Sequence, residues 1–340
     1  MVERSGKAMK RIFVYEYLSG GGELGDAQTP GGGLLAMGQA MRDAIVADLI
    51  ALEDYDVSVA TCSLASPVPE PATALTPQPG EGPFDFVARH ADAHHRVWVV
   101  APETHGLLAR FQRAIDPARW LGCDGPSIKL ASGKRSTLMA LADAGVTTPL
   151  AFEHEPEITR WVVKPDDGAG ALDTRLHASL EAASEDWSQR SRAGRPMAIE
   201  PWVEGPALSL SLMCSSGHTE LLSINRQHLA IDAAGLLSYA GVEVNVLPLA
   251  RRRSAAPSAE PRAAALHALA ARVGTSLPGL CGFVGIDLVW HAQRGPVLIE
   301  VNPRVTCAYV GLSRALGRNL AAEVIAACGR QAGRGGRAHV

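Results

Sequence analysis

The segment CGFVGIDLVWHAQRGPVLIEVNPR, residues 281–304, constrains this chain more than any other, because two alternating apolar runs flank a short turn and each run carries one acid. Alternation with a period of two marks a strand with one buried face, so the segment predicts a hairpin centred between Gln293 and Arg294. Asp287 then lies directly opposite Glu300. Val284, Ile286, Leu288 and Trp290 take one face of the first strand, and Val297, Ile299 and Val301 the corresponding face of the second, leaving Glu300 and Asn302 beside Asp287. Like charges opposed across a strand pair destabilise it unless a cation sits between them. Hard oxygen donors with little else suit Mg²⁺, which is usually held by one or two carboxylates while substrate phosphates complete its octahedron. The hairpin therefore implies a metal and a nucleoside triphosphate; a solvated face with two ordinary surface acids is the alternative.

Composition removes several other classes. The 340 residues suffice for two or three compact units, and 32 basic against 35 acidic side chains give a formal charge of −3, without the basic field that collects nucleic acid. The run Arg251–Arg253 sits in RRRSAAPSAEP and reads as a solvated loop. Cysteines at 62, 123, 214, 281, 307 and 328 show no C-x-x-C spacing, so neither a zinc site nor a disulfide framework is expected. No stretch approaches about 18 uninterrupted apolar residues, and MVERSGKAMKR lacks the apolar centre of a signal peptide. A cytoplasmic protein without membrane or nucleic-acid partners is expected, with little packing before Met9 and a flexible tail over 329–340.

Ile12 to Tyr15 reads as a buried strand, followed by a Gly-rich loop over 19–33 and a helical stripe through Leu34, Met37, Met41, Ile45, Leu49 and Leu52. Tyr55–Ala60 is a second strand, 66–83 a Pro-rich surface loop, and Arg96–Val100 a third strand before a helical pattern over 104–115. Strands alternating with helices predict a parallel, doubly wound first domain. A short helix is expected from about Gly133 to Ala144, with Ser132 as N-cap and Gly145 as its stop. Trp161–Lys164 and Met197–Trp202 are strand-like and bracket a loop and a helix around 178–193. From Leu208 onward, SLSLSLMC and ELLSINRQHLAI alternate apolar and polar residues, the behaviour of an antiparallel sheet.

Lys164 ends the strand WVVK and precedes PDDGAGALDT, where Gly168 and Gly170 allow backbone amides to approach phosphate oxygens closely. An ordinary turn after a strand-terminal lysine is the alternative. Lys134 lies on the first turn of its helix, where a cation opposes the helix dipole unless an anion is bound nearby. Arg304 and Arg226 offer forks suited to carboxylate or phosphoryl oxygens, although Arg226 reads equally as a strand-surface charge.

Lys134, Lys164 with its Gly loop, the hinge-like EPWVEG, GID at 285–287 and EVNPR at 300–304 occur in an order that resembles the ATP-grasp carboxylate–amine ligases, over roughly residues 120–325. The resemblance implies an α/β (α+β overall) fold: a doubly wound first domain over 10–125, a lid over 126–204 and an antiparallel metal- and substrate-binding domain over 205–328. It implies ATP between the last two, with Lys134, Lys164, Gly168 and Gly170 on the phosphates and Glu200, Pro201, Trp202, Val203 and Glu204 at the adenine. Mg²⁺, or Mn²⁺ in its place, would be held by Asp287, Glu300 and Asn302. Many members carry a ribose-binding glutamate where this chain has Ala207-Leu208, which leaves Glu204 as the nearest substitute. KPDDGAG, LSINRQHL, YAGVEVN and EVNPRVTCAYVGL resemble the branch that contains tyramine–glutamate ligase of methanofuran biosynthesis, with the pyrrolysine-pathway ligase more distant. The implied reaction joins a small carboxylate to an amine through an acyl phosphate, with Arg304 and Arg226 as catalytic candidates. Asn225, Gln227, Tyr239 and Asn245 are candidates for the amino-acid pocket. A homo-oligomer is compatible with all of this.

Two rival readings remain. Gly20, Gly22 and Gly25 satisfy G-x-G-x-x-G after a strand, as in dinucleotide binding. No helix is expected at Gly25, however, and Val59-Ala60-Thr61-Cys62 lacks the acid that would hold a ribose. A loop gripping the acceptor, through Glu16, Ser19, Gly20 and Gly21, fits better. A non-catalytic ATP-binding regulator is disfavoured by the presence of both lysines and the carboxylate pair.

Overall fold

The structure, a computed structural model, describes residues 9–23, 33–168, 170–215, 217–247 and 261–335. Its first unit contains β1 (Lys10–Glu16), α1 (Gly33–Ile50), β2 (Tyr55–Ala60), β3 (Thr73–Leu75), α2 (Pro83–Ala91), β4 (Arg96–Val100), α3 (Leu107–Ala114) and α4 (Gly125–Ser132). The four strands are parallel in the order β3-β2-β1-β4. Helices cover both faces, so the centre of β1, Ile12 to Tyr15, is a continuous apolar run: Ile12 and Val14 pack with Met41, Ile45 and Leu49 of α1, while Phe13 and Tyr15 pack with Phe86 of α2 and Phe111 of α3. The chain leaves β1 for β2 on one side and later returns to β4 on the other. Ligand crevices in such sheets form at that divergence, beyond the strands' C-terminal ends, and here it is flanked by Glu16 and by Glu103 just after β4.

Helix α5 (Lys134–Asp143) departs from expectation at its start. Ser132 is the last residue of α4, with its Oγ donating to the Ile128 carbonyl at 2.7 Å, and the N-cap of α5 is Gly133, without a side-chain cap. The first-turn donors are satisfied from far away in sequence: Lys134 N donates to Asp166 O at 2.9 Å and Arg135 N to Asp166 Oδ1 at 2.9 Å. Gly145 ends the helix at a φ of +75°, as its sequence position predicts.

The lid contains β5 (Trp161–Pro165), β6 (Arg175–His177), α6 (Leu180–Arg192) and β7 (Met197–Pro201), with an antiparallel sheet ordered β6-β5-β7. Ser179 caps α6 by accepting from Ala182 N, and Ala183 packs with Trp161, Val163 and Met197.

The last unit comprises β8 (Ala207–Ser215), β9 (His218–Ile231), β10 (Leu237–Glu243), α7 (Pro261–Ser276), β11 (Gly282–His291), β12 (Gly295–Asn302), α8 (Leu312–Leu316) and α9 (Leu320–Gly335). Its five strands are antiparallel in the order β10-β9-β8-β11-β12. The tip of the β9–β10 hairpin reaches the lid, where Leu176 N donates to Gly235 O at 2.8 Å and Leu237 N to Thr174 O at 2.9 Å. Helix α9 runs to Gly335, several residues into the segment expected to be a tail. Arg251–Arg253 and Gly25 lie outside the described residues. Among the described residues no helix is long and apolar enough to cross a membrane.

In the β11–β12 hairpin Asp287 pairs with Glu300, as the alternation predicts. Beyond that pair the register shifts, so that Leu288 meets Leu298 and Val289 meets Val297. Ile299 is the additional residue, and the expected sharing of one face by Val297, Ile299 and Val301 fails. Leu298 and Val301 enter the core instead, while Ile299 and Glu300 both border a cavity.

Candidate functional site

A cavity of about 230 Å³ lies between the lid and the five-stranded sheet. Strand β5 contributes Val162 and Lys164, the Gly loop Gly168 and Gly170, and the chain leaving β7 Glu200 to Val203. Ala207 and Ser209 of β8, Gln227 of β9 and Leu288 of β11 face them, with Glu300 and Asn302 of β12. Arg304, Thr306, Cys307 and Met37 of α1 complete the lining.

The carboxylate pair sits at the middle of this cavity. Asp287 accepts from Gln227 Nε2 at 2.8 Å through Oδ1 and from Asn302 Nδ2 at 3.1 Å through Oδ2. Burial, followed by the charge of Glu300, pushes Asp287 up to about 7. Lys134 Nζ lies 3.3 Å from Glu300 Oε1 and donates to the Gly168 carbonyl. Among the described residues no three His, Cys, Asp or Glu side chains form a metal nest. Two crowded carboxylates with an amide beside them fit a hard divalent cation that takes its other ligands from a substrate.

The Gly loop is held from both sides. Asp166 caps α5, and Asp167 Oδ2 accepts from His105 N of the first unit at 2.7 Å. Lys164 Nζ is paired with Glu200 Oε2 at 2.8 Å, both nearly buried. Glu200 Oε1 and Trp202 Nε1 are buried without a hydrogen-bond partner. An unpaired buried polar atom costs roughly 1–3 kcal/mol. One acceptor and one donor on the wall of the same cavity fit the polar edge of a nucleobase.

Arg304 is fixed by a residue that sequence reasoning missed. Its Nε and Nη2 donate to Oε1 and Oε2 of Glu103, each at 2.9 Å, and Nη1 donates to the Val305 carbonyl at 3.2 Å. The signal available in the sequence was the placement of Glu103 just after a parallel strand. Asp166 was missed likewise, for caps between distant segments have no local pattern. Tyr309, within the EVNPRVTCAYVGL string, is structural: its hydroxyl donates to Asp48 Oδ2 of α1 at 2.6 Å, and its ring packs on Trp98 and Phe283.

Lys134, Lys164, Gly168, Gly170, Glu200, Pro201, Trp202, Val203, Asp287, Glu300, Asn302, Arg304, Gln227 and Tyr239 meet at the cavity. The other candidates do not. Glu204 is 62% exposed and bonds Arg160, and it is not among the residues that line the cavity. Arg226 points to the opposite side of β9 from Gln227, is 54% exposed and faces Glu243 at 3.5 Å. Asn225 is buried and braces the sheet: Nδ2 donates to the Oγ atoms of Ser209 and Ser211, and Oδ1 accepts from Asn245 N at 3.0 Å. Asn245 is thereby held at a φ of +56°, away from the cavity. Glu16, Ser19, Gly20 and Gly21 form a closed turn, in which the Glu16 carboxylate accepts from Leu18 N and Ser19 N. Gly38 of α1 presses on it so closely that a Cβ would lie 2.5 Å from Glu16 Oε2. These four residues border the crevice of the first sheet but do not line the cavity.

The family model described as "ATP-grasp domain" matches residues 131–308, and one described as "pre ATP-grasp 3 domain" matches 55–128. Tyramine–L-glutamate ligase of Methanocaldococcus jannaschii is 29% identical over 216 residues, covering 63% of this chain and 57% of the relative, so the match spans less than two thirds of that protein. An ATP-grasp superfamily protein from Archaeoglobus fulgidus superposes with a TM-score of 0.65 at 20% identity, covering 93% of this chain and 88% of its own. D-alanine–D-alanine ligase of Bacillus anthracis, solved with ATP, gives 0.63 at 14% identity over 96% of this chain and 99% of its own. These two share the fold.

Proposed function

We propose, since this chain belongs to the ATP-grasp family, that it is an ATP-dependent carboxylate–amine ligase. The observation that carries the reading is the single cavity into which Lys134, Lys164 and the Gly loop converge upon Asp287 and Glu300. Mg²⁺ or Mn²⁺, bound by Asp287 and Glu300 with Asn302 beside them, would neutralise charge on the phosphates being transferred. Lys134 and Lys164 bind phosphate oxygens, while Gly168 and Gly170 let the loop backbone close over them. Glu200 and Trp202 orient the base. Arg304 receives the carboxylate as it takes the γ-phosphoryl group, and afterwards steadies the oxyanion formed when an amine displaces phosphate. Gln227 holds Asp287, and Tyr239 shapes the wall beside it.

For the substrates we favour glutamate with tyramine or a related aromatic amine. Support comes from the relative from Methanocaldococcus jannaschii and from the apolar share of the cavity lining, which includes Met37, Leu229, Leu237, Tyr239 and Val242. Such a lining suits an amine with an aromatic or apolar body.

The test follows ADP and phosphate release during incubation with ATP, glutamate and aromatic amines, with hydroxylamine as a substitute amine. Stoichiometric ADP and a hydroxamate of the carboxylate are expected. AMP and pyrophosphate would replace the acyl phosphate with an adenylate and sink the mechanism. If other carboxylate–amine pairs release ADP and this pair does not, the substrates alone are wrong.

A further inference from the structure

Arg304 is largely enclosed on the cavity wall with three of its five N–H groups already engaged, two by the carboxylate of Glu103 and one by the Val305 carbonyl. Two N–H groups are left for a ligand. The side chains of Arg304 and Glu103 are 11% and 3% exposed, and an ion pair so buried adds little net stability, because desolvation offsets the attraction. What a two-point fork does supply is orientation. Glu103 stands beyond the end of β4, whereas Arg304 leaves β12, 201 residues later, so the bond ties the first unit to the strand that carries Glu300. The cavity wall that holds Arg304 also carries Asp287 and Glu300, so the bond to Glu103 fixes the direction of a guanidinium with other carboxylates on the same wall. The same short turn holds the phosphate loop, through His105 N and Asp167.

From this geometry we infer that Glu103 is a positioning residue, which aims the remaining N–H groups of Arg304 at the substrate carboxylate. The inference rests on the ligase reading. It extends the site into the first unit, which would otherwise be scaffold.

Glu103→Gln, which keeps the shape and removes the charge, is compared with wild type, Arg304→Lys and the double variant. The reading is kcat and KM for the carboxylate from ADP release with hydroxylamine as amine, together with ATP affinity by calorimetry and the thermal midpoint. Glu103→Gln should lower kcat/KM for the carboxylate by about tenfold or more while ATP affinity stays within about twofold. Arg304→Lys keeps the charge but loses the fork, and in that background Glu103→Gln should cost much less than it does alone. Glu103→Asp should show a smaller loss of the same kind, and it replaces the Gln variant if that one does not fold. Wild-type kcat/KM in the Gln or the Asp variant would overturn the inference. So would losses that multiply in the double variant, or a parallel fall in ATP affinity, which marks a structural role. If the wild-type protein releases no ADP with any carboxylate, the ligase reading falls and takes this inference with it. That outcome is seen before any variant is made.

Discussion

The cavity has two kinds of lining, and they are built differently. Its charged side chains are already paired: Lys134 with Glu300, Lys164 with Glu200 and Arg304 with Glu103 from another sheet. Its apolar side chains come from separate elements, Met37 from α1, Leu229 from β9 and Val242 from β10. Phosphate and a divalent cation demand particular donors at particular spacings, whereas an apolar lining demands only shape and size. We therefore expect the charged lining to carry the chemistry and the apolar lining the choice of substrate.

The largest effect should fall on the carboxylates proposed to hold the metal. Asp287→Asn or Glu300→Gln should lower turnover by about two orders of magnitude or more while leaving the circular dichroism spectrum unchanged. Asp287→Asn should not lower the thermal midpoint, because it removes a buried charge that faces another of the same sign. Unfolding of either variant would make the pair structural and erase the contrast between the charged and apolar linings.

Next come the lysines. Lys134→Ala and Lys164→Ala should each weaken ATP binding about tenfold or more by calorimetry. They should differ in stability: without Lys164, Glu200 is left buried and unpaired, a loss on the order of 3–5 kcal/mol, whereas Glu300 is more open. ATP affinity unchanged in both variants would contradict the phosphate roles.

The apolar lining should respond more gently. Leu229→Ala or Val242→Ala should cost about tenfold in kcat/KM for an aromatic amine and leave ATP affinity alone. A loss of ATP affinity would give these residues to the nucleotide and remove the contrast between the two linings. The smallest effects are expected outside the cavity, where Arg226→Ala and Glu204→Gln should each change turnover by less than about twofold, since exposed ion pairs contribute little.

Acid sensitivity of the fold should arise elsewhere. Burial pushes His90 and His94 below the ordinary histidine value, so both are neutral in the folded protein. The unfolded chain takes up protons below about pH 6.5, so their contribution is complete above that pH and is lost as pH falls through the lowered folded values. Thermal midpoints should decline on acidification below about pH 6.5, and less so in His94→Gln.

The pairing of Asp287 with Glu300 was legible because strand alternation permits a single register near a short turn. That Lys134, Lys164 and the segment Glu200 to Val203 meet at one cavity was legible for a related reason: each sits at the end of an element with its own local pattern. The exclusion of Arg226 and Glu204 was not, although the first follows from parity along β9, opposite to Gln227. Nor was the step at Ile299, since a bulge is a property of two strands together.

The order of elements, the parallel first sheet, the antiparallel last one and the acids of the hairpin were thus determined by the sequence itself, through periodicities that act over a few residues. The partnership of Glu103 with Arg304, the capping of α5 by Asp166, the bracing role of Asn225 and the withdrawal of Glu16 into a closed turn were decided only by the tertiary structure. Each of these joins groups whose separation along the chain has no period, or depends on what a neighbouring helix presses against them. A buried charge or an unfilled backbone donor must find a partner somewhere, but which partner it finds is settled when the sheets and helices pack.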